Sequence, residues 1–210
     1  MTEYDHEPTP GLPGRLPGGE RILWQGSPDR RTLTRTAFHA LTVAGYFAVL
    51  TAIAAALVGS GGYSGVVMTA TLGVVAVALL HVLAWGSART TIYTLTDRRI
   101  VMRVGMAVPK CVNLPLATIA SVDLAARADG TGDVALTLLG TPRIGYAALW
   151  PHARPFTIAR PKPMLRALPD AERVAALVAR YCLAACPDGR LTPVEYDHAP
   201  MPAFAEARAA

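Results

Sequence analysis

Hydrophobic and polar positions divide the chain into one long apolar block and a later series of short alternating segments. Between Arg35 and Arg89 there is no Asp, Glu, Lys or Arg. The block holds two apolar runs, 37–59 and 66–85, joined by Ser60-Gly61-Gly62-Tyr63-Ser64-Gly65. A helix rises about 1.5 Å per residue, so either run can cross a hydrocarbon core of about 30 Å. The pattern predicts a two-helix transmembrane hairpin over residues 36–88.

After Arg89 the period changes. Thr91-Ile92-Tyr93-Thr94-Leu95-Thr96 alternates as a strand, Asp97-Arg98 turns, and residues 99–104 return before Gly105. Residues 110–115 and 119–126 read as further strands, Asp129-Gly130-Thr131-Gly132-Asp133 as a turn, and 134–139 as the next strand. Weaker strands fall at 143–149 and 156–160. Many short strands at this spacing predict a small antiparallel β-barrel or sandwich. A helix closes it: Asp170 is the expected N-cap, and Val174, Leu177, Val178 and Tyr181 form one apolar stripe. Arg173 and Arg180 fall on the other side.

The fold class is therefore a membrane-associated α+β protein. Its expected parts are an irregular Pro/Gly-rich arm (1–19), a strand at Glu20–Gly26 with a basic lead-in (20–35), the hairpin (36–88), the β domain with its C-terminal helix (89–186) and an extended tail (187–210). Glu3-Tyr4-Asp5-His6 recurs as Glu195-Tyr196-Asp197-His198, by coincidence or as two addresses for similar acceptor sites.

Charge adds an orientation. Arg30, Arg31 and Arg35 precede the hairpin, Arg89, Arg98 and Arg99 follow it, and its turn has no charge. The positive-inside rule then puts both termini in the cytoplasm of an inner membrane. The acidic, Pro-rich start is not that of a signal peptide. The formal charge of +5 arises after the hairpin, where residues 89–210 carry fifteen basic and ten acidic side chains. This excess suits an anionic membrane surface or an acidic protein partner. The basic residues are scattered and no recognition motif accompanies them, so nucleic acid is not an expected partner.

Candidate chemistry is sparse. The three cysteines, Cys111, Cys182 and Cys186, form no disulfide framework, and no metal-ligand spacing surrounds them. No phosphate-binding Gly loop, paired metal motif or nucleophile elbow is present, so no enzyme is expected. His39 and His81 lie in the apolar block. They either reach the interface near the helix ends or ligate a metal such as the magnesium of a chlorin. Ala48, Ala52 and Ala56 on the first apolar run, and Gly73 on the second, mark faces for close helix approach. They pack the hairpin on itself or against another membrane protein. Trp150, His152, Arg154 and Phe156, followed by Arg160 and Lys162, bring aromatic and cationic groups together among five prolines between 151 and 169. This reads either as a docking surface, with Arg154 and Arg160 facing the partner, or as a loop closing the β domain around Trp150.

The residues 93–101, Tyr-Thr-Leu-Thr-Asp-Arg-Arg-Ile-Val, followed by Gly105, Val112-Asn-Leu-Pro and Ile119-Ala-Ser-Val, resemble the bacterial pleckstrin-homology-like domains found beside transmembrane hairpins. Glu20–Gly26 is similar to the strand that precedes such hairpins. Residues 11–29 and the run from Leu149-Trp-Pro-His-Ala-Arg-Pro-Phe to Ala159-Arg-Pro-Lys-Pro-Met-Leu-Arg resemble the two signatures of the PuhB family of photosynthetic-complex assembly proteins. That resemblance spans roughly residues 8–183.

It implies a non-enzymatic scaffold in the photosynthetic inner membrane of a bacterium. The implied partners are reaction-centre subunits, with the H subunit as one candidate, and core antenna polypeptides. It transfers no catalytic or cofactor residue and leaves a homodimer open. Two other readings stand beside it: a module that binds anionic membrane lipids, and a bacteriochlorophyll carrier using His39 and His81.

Overall fold

The computed structural model describes residues 11–12, 14–58, 62–106, 108–140 and 144–186. The repeated Glu-Tyr-Asp-His segments and the tail lie outside them.

A first strand β1 (Ile22–Gly26) is followed by α1 (Arg30–Thr36), α2 (Ala40–Ala56) and α3 (Ser64–Thr90). The β domain then supplies β2 (Ile92–Thr96), β3 (Arg99–Val104), β4 (Lys110–Pro115), β5 (Ile119–Ala126) and β6 (Gly132–Leu138). A short α4 (Tyr146–Leu149), β7 (Met164–Leu168) and α5 (Ala171–Ala185) complete it. Two antiparallel sheets form, β1-β2-β3-β4 and β5-β6-β7. No ladder closes them into a barrel among the described residues, so the sandwich alternative describes the domain better.

The alternation seen in the sequence explains the core. Tyr93, Leu95, Ile100, Met102 and Val104 point inward from β2 and β3, and Val134 and Leu136 from β6. Val174 and Val178 of α5 cover them, with Leu177 and Tyr181 packed at the edge. Each such side chain stabilises by about 1.5–3 kcal/mol on full burial. Asp170 holds the expected N-cap position, but at φ 52° and without a side-chain capping bond.

The strand before the helices joins the first sheet. Trp24 pairs with Leu95 and Gly26 with Tyr93. Gly26 is required there, because a Cβ would lie 2.4 Å from the Trp24 ring. Just upstream, Glu20 is buried and accepts two bonds from the Arg99 guanidinium, at 2.7 and 2.8 Å. Those bonds hold its carboxyl below the usual range.

The apolar block differs from the expectation in one respect. The first run is not a single helix. It begins earlier, as α1, breaks at residues 37–39 where His39 takes a left-handed φ of 50°, and resumes as the 17-residue α2. The two axes differ by 52°. Among the described residues one helix, α3, is by itself long and apolar enough to cross a membrane, with a mean hydropathy of 2.4. The α1–α2 pair passes the same test only as one bent span.

Gly73 of α3 sits against Phe47 of α2, where a Cβ would lie 2.7 Å from the phenylalanine Cβ. Gly73→Leu is expected to splay the two helices and cost about 1–3 kcal/mol by overpacking. Thermal unfolding of the detergent-solubilised chain measures it.

Two weak expectations give way. Residues 146–149 form a helical turn, not a strand, and Arg143 lies outside the described residues. No strand runs through 156–160, where Phe156 has φ 61° and prolines flank the segment. The missing strand is β7, whose five residues are all buried.

Candidate functional site

The helices and the β domain meet in a polar joint. α3 runs without interruption to Thr90, and only Thr91 separates it from β2. The last turn of α3 points Ser87 inward, and Thr91 and Tyr93 follow on the buried side. His152 enters from the loop after α4 and is fully buried, at 0 % exposure.

Its Nδ1 lies 2.6 Å from the Tyr93 hydroxyl. Its Nε2 lies 3.0 Å from Thr91 Oγ1 and 3.3 Å from Ser87 Oγ. The backbone N–H of Arg166 donates to the Tyr93 oxygen at 3.2 Å. The phenol hydrogen is then free to donate to Nδ1, which assigns the proton of a neutral imidazole to Nε2, facing Thr91. Burial, with the Arg166 charge in second place, pulls the His152 pKa down to about 3. Burial likewise pushes the Tyr93 phenol well above its usual value. The joint therefore holds a neutral, fully hydrogen-bonded histidine.

Arg166 is the second element of the joint. Its guanidinium donates to Pro151 O at 3.1 Å and to Thr36 O at 3.0 Å. The next residue, Ala167, has φ 50° and donates its N–H to Asp133 Oδ1 at 2.7 Å. Asp133 also accepts from Arg127. Ala167 O in turn accepts from Asp29 N at 2.7 Å, and Asp29 caps α1 through Thr32 N at 2.8 Å. β7 thus grips α1 at both ends. Leu33, Phe38, Ala84 and Ala167 fill the space between them.

The candidate docking residues separate into two groups. His152 is not at the surface: its hydrogen-bond partners enclose it, which removes it from the expected partner-facing set. Trp150 is 45 % exposed and meets Phe38 edge-on, with ring centroids 5.4 Å apart. It is neither a core residue nor a free one. Phe156 is 99 % and Ile158 73 % exposed. Arg154 reaches Asp123 at 3.3 Å in an exposed pair, which contributes about 0–1 kcal/mol and leaves the charge in contact with solvent. Lys162 donates to Thr137 Oγ1 at 3.1 Å, and Arg160 is exposed. Ile158 is the residue sequence reasoning missed. A lone isoleucine in a proline-rich loop carries no periodic signal.

The helix residues also divide. Gly73 is spent on Phe47, whereas Ala48 and Ala52 line an open groove between α2 and α3. Ala56 is exposed at the end of α2. His39 is exposed at the α1–α2 break, and His81 Nδ1 lies 2.8 Å from Val77 O. All three cysteines are free thiols.

A two-sheet β domain closed by a C-terminal helix, with apolar helices entering its first sheet, is the architecture of a PH-like module. The chain matches the bacterial PH domain family over residues 39–181 and belongs to that family. It is also 36 % identical over 183 residues to a Rhodobacter capsulatus protein, covering 84 % of this chain and 86 % of that one. That relative bears the name "Uncharacterized 23.7 kDa protein in puhA 5'region". No solved structure matches the chain.

Proposed function

We propose that the chain is a membrane-anchored, non-enzymatic assembly factor of the PuhB type for the photosynthetic reaction centre and its core antenna. The observation that carries this reading is the position of the Rhodobacter capsulatus relative in the puhA 5′ region, at an identity that spans most of both chains. The two sequence signatures described above point the same way.

The anatomy supports a scaffold. Tyr63 and Trp85 bracket the apolar part of α3 and are separated by roughly 33 Å along a straight helix, close to the thickness of a hydrocarbon core of about 30 Å. Arg89 lies over the Trp85 ring, 5.7 Å from its centroid, as suits an aromatic anchor at the interface. The helices give lateral contact with membrane subunits. The β domain, held to them by the His152 and Arg166 joint, presents Trp150, Phe156 and Ile158 to their cytoplasmic portions, the H subunit among the candidates. Membrane confinement raises effective concentration, so modest affinity suffices and the client can leave.

The test is capture from pigmented membranes in mild detergent, using the tagged full chain. The wild type is expected to recover reaction-centre and core-antenna polypeptides. The Phe156→Ala/Ile158→Ser variant should recover at least roughly tenfold less, as for loss of an interface anchor. Recovery of lipid alone, or equal capture by both chains, overturns the reading.

A further inference from the structure

Two cavities meet on one face of the helices. The first, about 480 Å³, lies at the α1–α2 elbow and is lined by Arg30, Arg31, Thr34, Arg35 and His81 together with apolar residues of α2 and α3. The second, about 810 Å³, is the open groove between α2 and α3, with Ala48, Ala52, Val74 and Ala78 in its walls. Ala44 and Val77 line both, so the cationic cavity runs directly into the apolar groove.

Among the described residues the three guanidiniums have no partner: none forms an ion pair, and the adjacent Asp29 carboxylate is occupied in capping Thr32 N–H. Arg31 and Arg35 lie one helical turn apart on the exposed side of α1, whose other side buries Thr32 and Leu33. The groove, by contrast, offers no free polar group from Thr51, its one hydroxyl-bearing wall residue, which donates to Phe47 O at 2.7 Å. A cluster of forked cations at the mouth and a purely apolar channel behind it are complementary to one class of molecule, an acidic amphiphile.

We propose that this composite site binds an anionic phospholipid. The phosphodiester sits among Arg30, Arg31 and Arg35, and one acyl chain lies in the groove between α2 and α3. Guanidinium groups take phosphate oxygens two at a time, and the net positive charge of the cluster favours a lipid of net negative charge over phosphatidylcholine, whose choline cation offsets the same phosphodiester. A free phosphate would leave the groove unfilled. A neutral pigment would leave the arginines without a counter-charge, and His39 does not line either cavity. The site differs from a headgroup pocket on the β domain, because every residue in it belongs to α1, α2 or α3. The proposal rests on the membrane reading given under Proposed function. It adds a reason for the α1 elbow: the bend carries the arginines over the end of the groove.

The test uses the full chain in mild detergent. It is titrated with phosphatidylglycerol or phosphatidylcholine of identical acyl chains, and retained lipid is counted by native mass spectrometry. The wild type should retain phosphatidylglycerol at least roughly tenfold better than phosphatidylcholine. Each arginine near an anionic group contributes about fivefold, so Arg31→Ala/Arg35→Ala should weaken phosphatidylglycerol retention about twenty-five-fold. Arg31→Lys/Arg35→Lys should keep part of it. Ala52→Leu, which fills the groove and leaves the arginines in place, should weaken retention as well.

Equal retention of both lipids by the wild type overturns the site. So does wild-type retention by the double alanine variant. An alkaline wash of the membranes before solubilisation separates the two failures. A chain released by the wash overturns the membrane reading itself, whereas a chain that resists the wash and shows no lipid preference overturns the lipid site alone.

Discussion

Replacing His152 by alanine is expected to lower the stability of the chain by about 3–5 kcal/mol, the largest effect of any single substitution considered. The imidazole fills a fully buried position, and truncating a large buried side chain costs about 2–5 kcal/mol through lost contacts and the cavity left behind. It also leaves Tyr93 OH without its acceptor and Thr91 Oγ1 without its donor, and each buried orphan costs about 1–3 kcal/mol. These terms overlap at one site and do not add fully. Chemical unfolding of the detergent-solubilised chain, followed by tryptophan fluorescence, measures the loss.

His152→Gln provides the control. A glutamine amide offers an acceptor oxygen and an NH2 donor, one N–H more than the neutral imidazole, and should cost about 1–2 kcal/mol. It also removes a titration. The unfolded histidine takes up a proton near its ordinary value of 6.5, whereas the folded site resists protonation down to about 3. The unfolded state therefore binds the extra proton between these values. Stability is full above about pH 6.5 and falls through the window at up to about 1.4 kcal/mol per pH unit. The glutamine variant should lose stability less steeply over the same range. Parallel pH profiles for the two chains would show that His152 is not the group responsible.

Arg166→Leu should act differently, by uncoupling the parts. Without the guanidinium, Pro151 O and Thr36 O lose their donors, and α1 is held by β7 at only one end. Charge-assisted bonds of this kind contribute about 1.5–3 kcal/mol each, so a loss of about 3 kcal/mol is expected. A seven-residue helix has little stability of its own, and the loss should appear there first. Hydrogen exchange should rise at the amides of α1 while the β2, β3 and β6 amides stay protected. Unchanged exchange in α1 would refute the clamp. The same variant should capture clients less well if the scaffold works as one rigid body.

The contrast between these two residues indicates what could be read in advance. β2, β3, β4 and β6 were legible because each lays alternate apolar residues on one core, and a period of two survives in the sequence; β5 contributes only Ile119 and Val122, on either side of a bulge. α5 was legible by its stripe, and α3 by an apolar run that no charge interrupts. β7 was not, because a buried arginine in its centre reads as a solvent position. α1 was not, because an Asp29 cap and three arginines are too little, over seven residues, to hold a helix by themselves. Its bonds to Arg166 and Ala167 hold it.

The proline-rich signature was visible as a cluster of aromatic and cationic residues, but its division was hidden. One residue turned inward to lock the joint, and Phe156 turned outward.

The hydrophobic pattern by itself determined that this chain has an apolar helical block, a short-stranded β domain and a closing helix. Periodicity and charge depletion are local properties and need no partner. The tertiary structure alone decided that helices and sheets share one buried polar joint, since His152 finds its partners 59, 61 and 65 residues away. It alone decided, too, that the arginines of α1 cluster beside His81. A bend in the chain made that cluster, and the sequence carries no period for it.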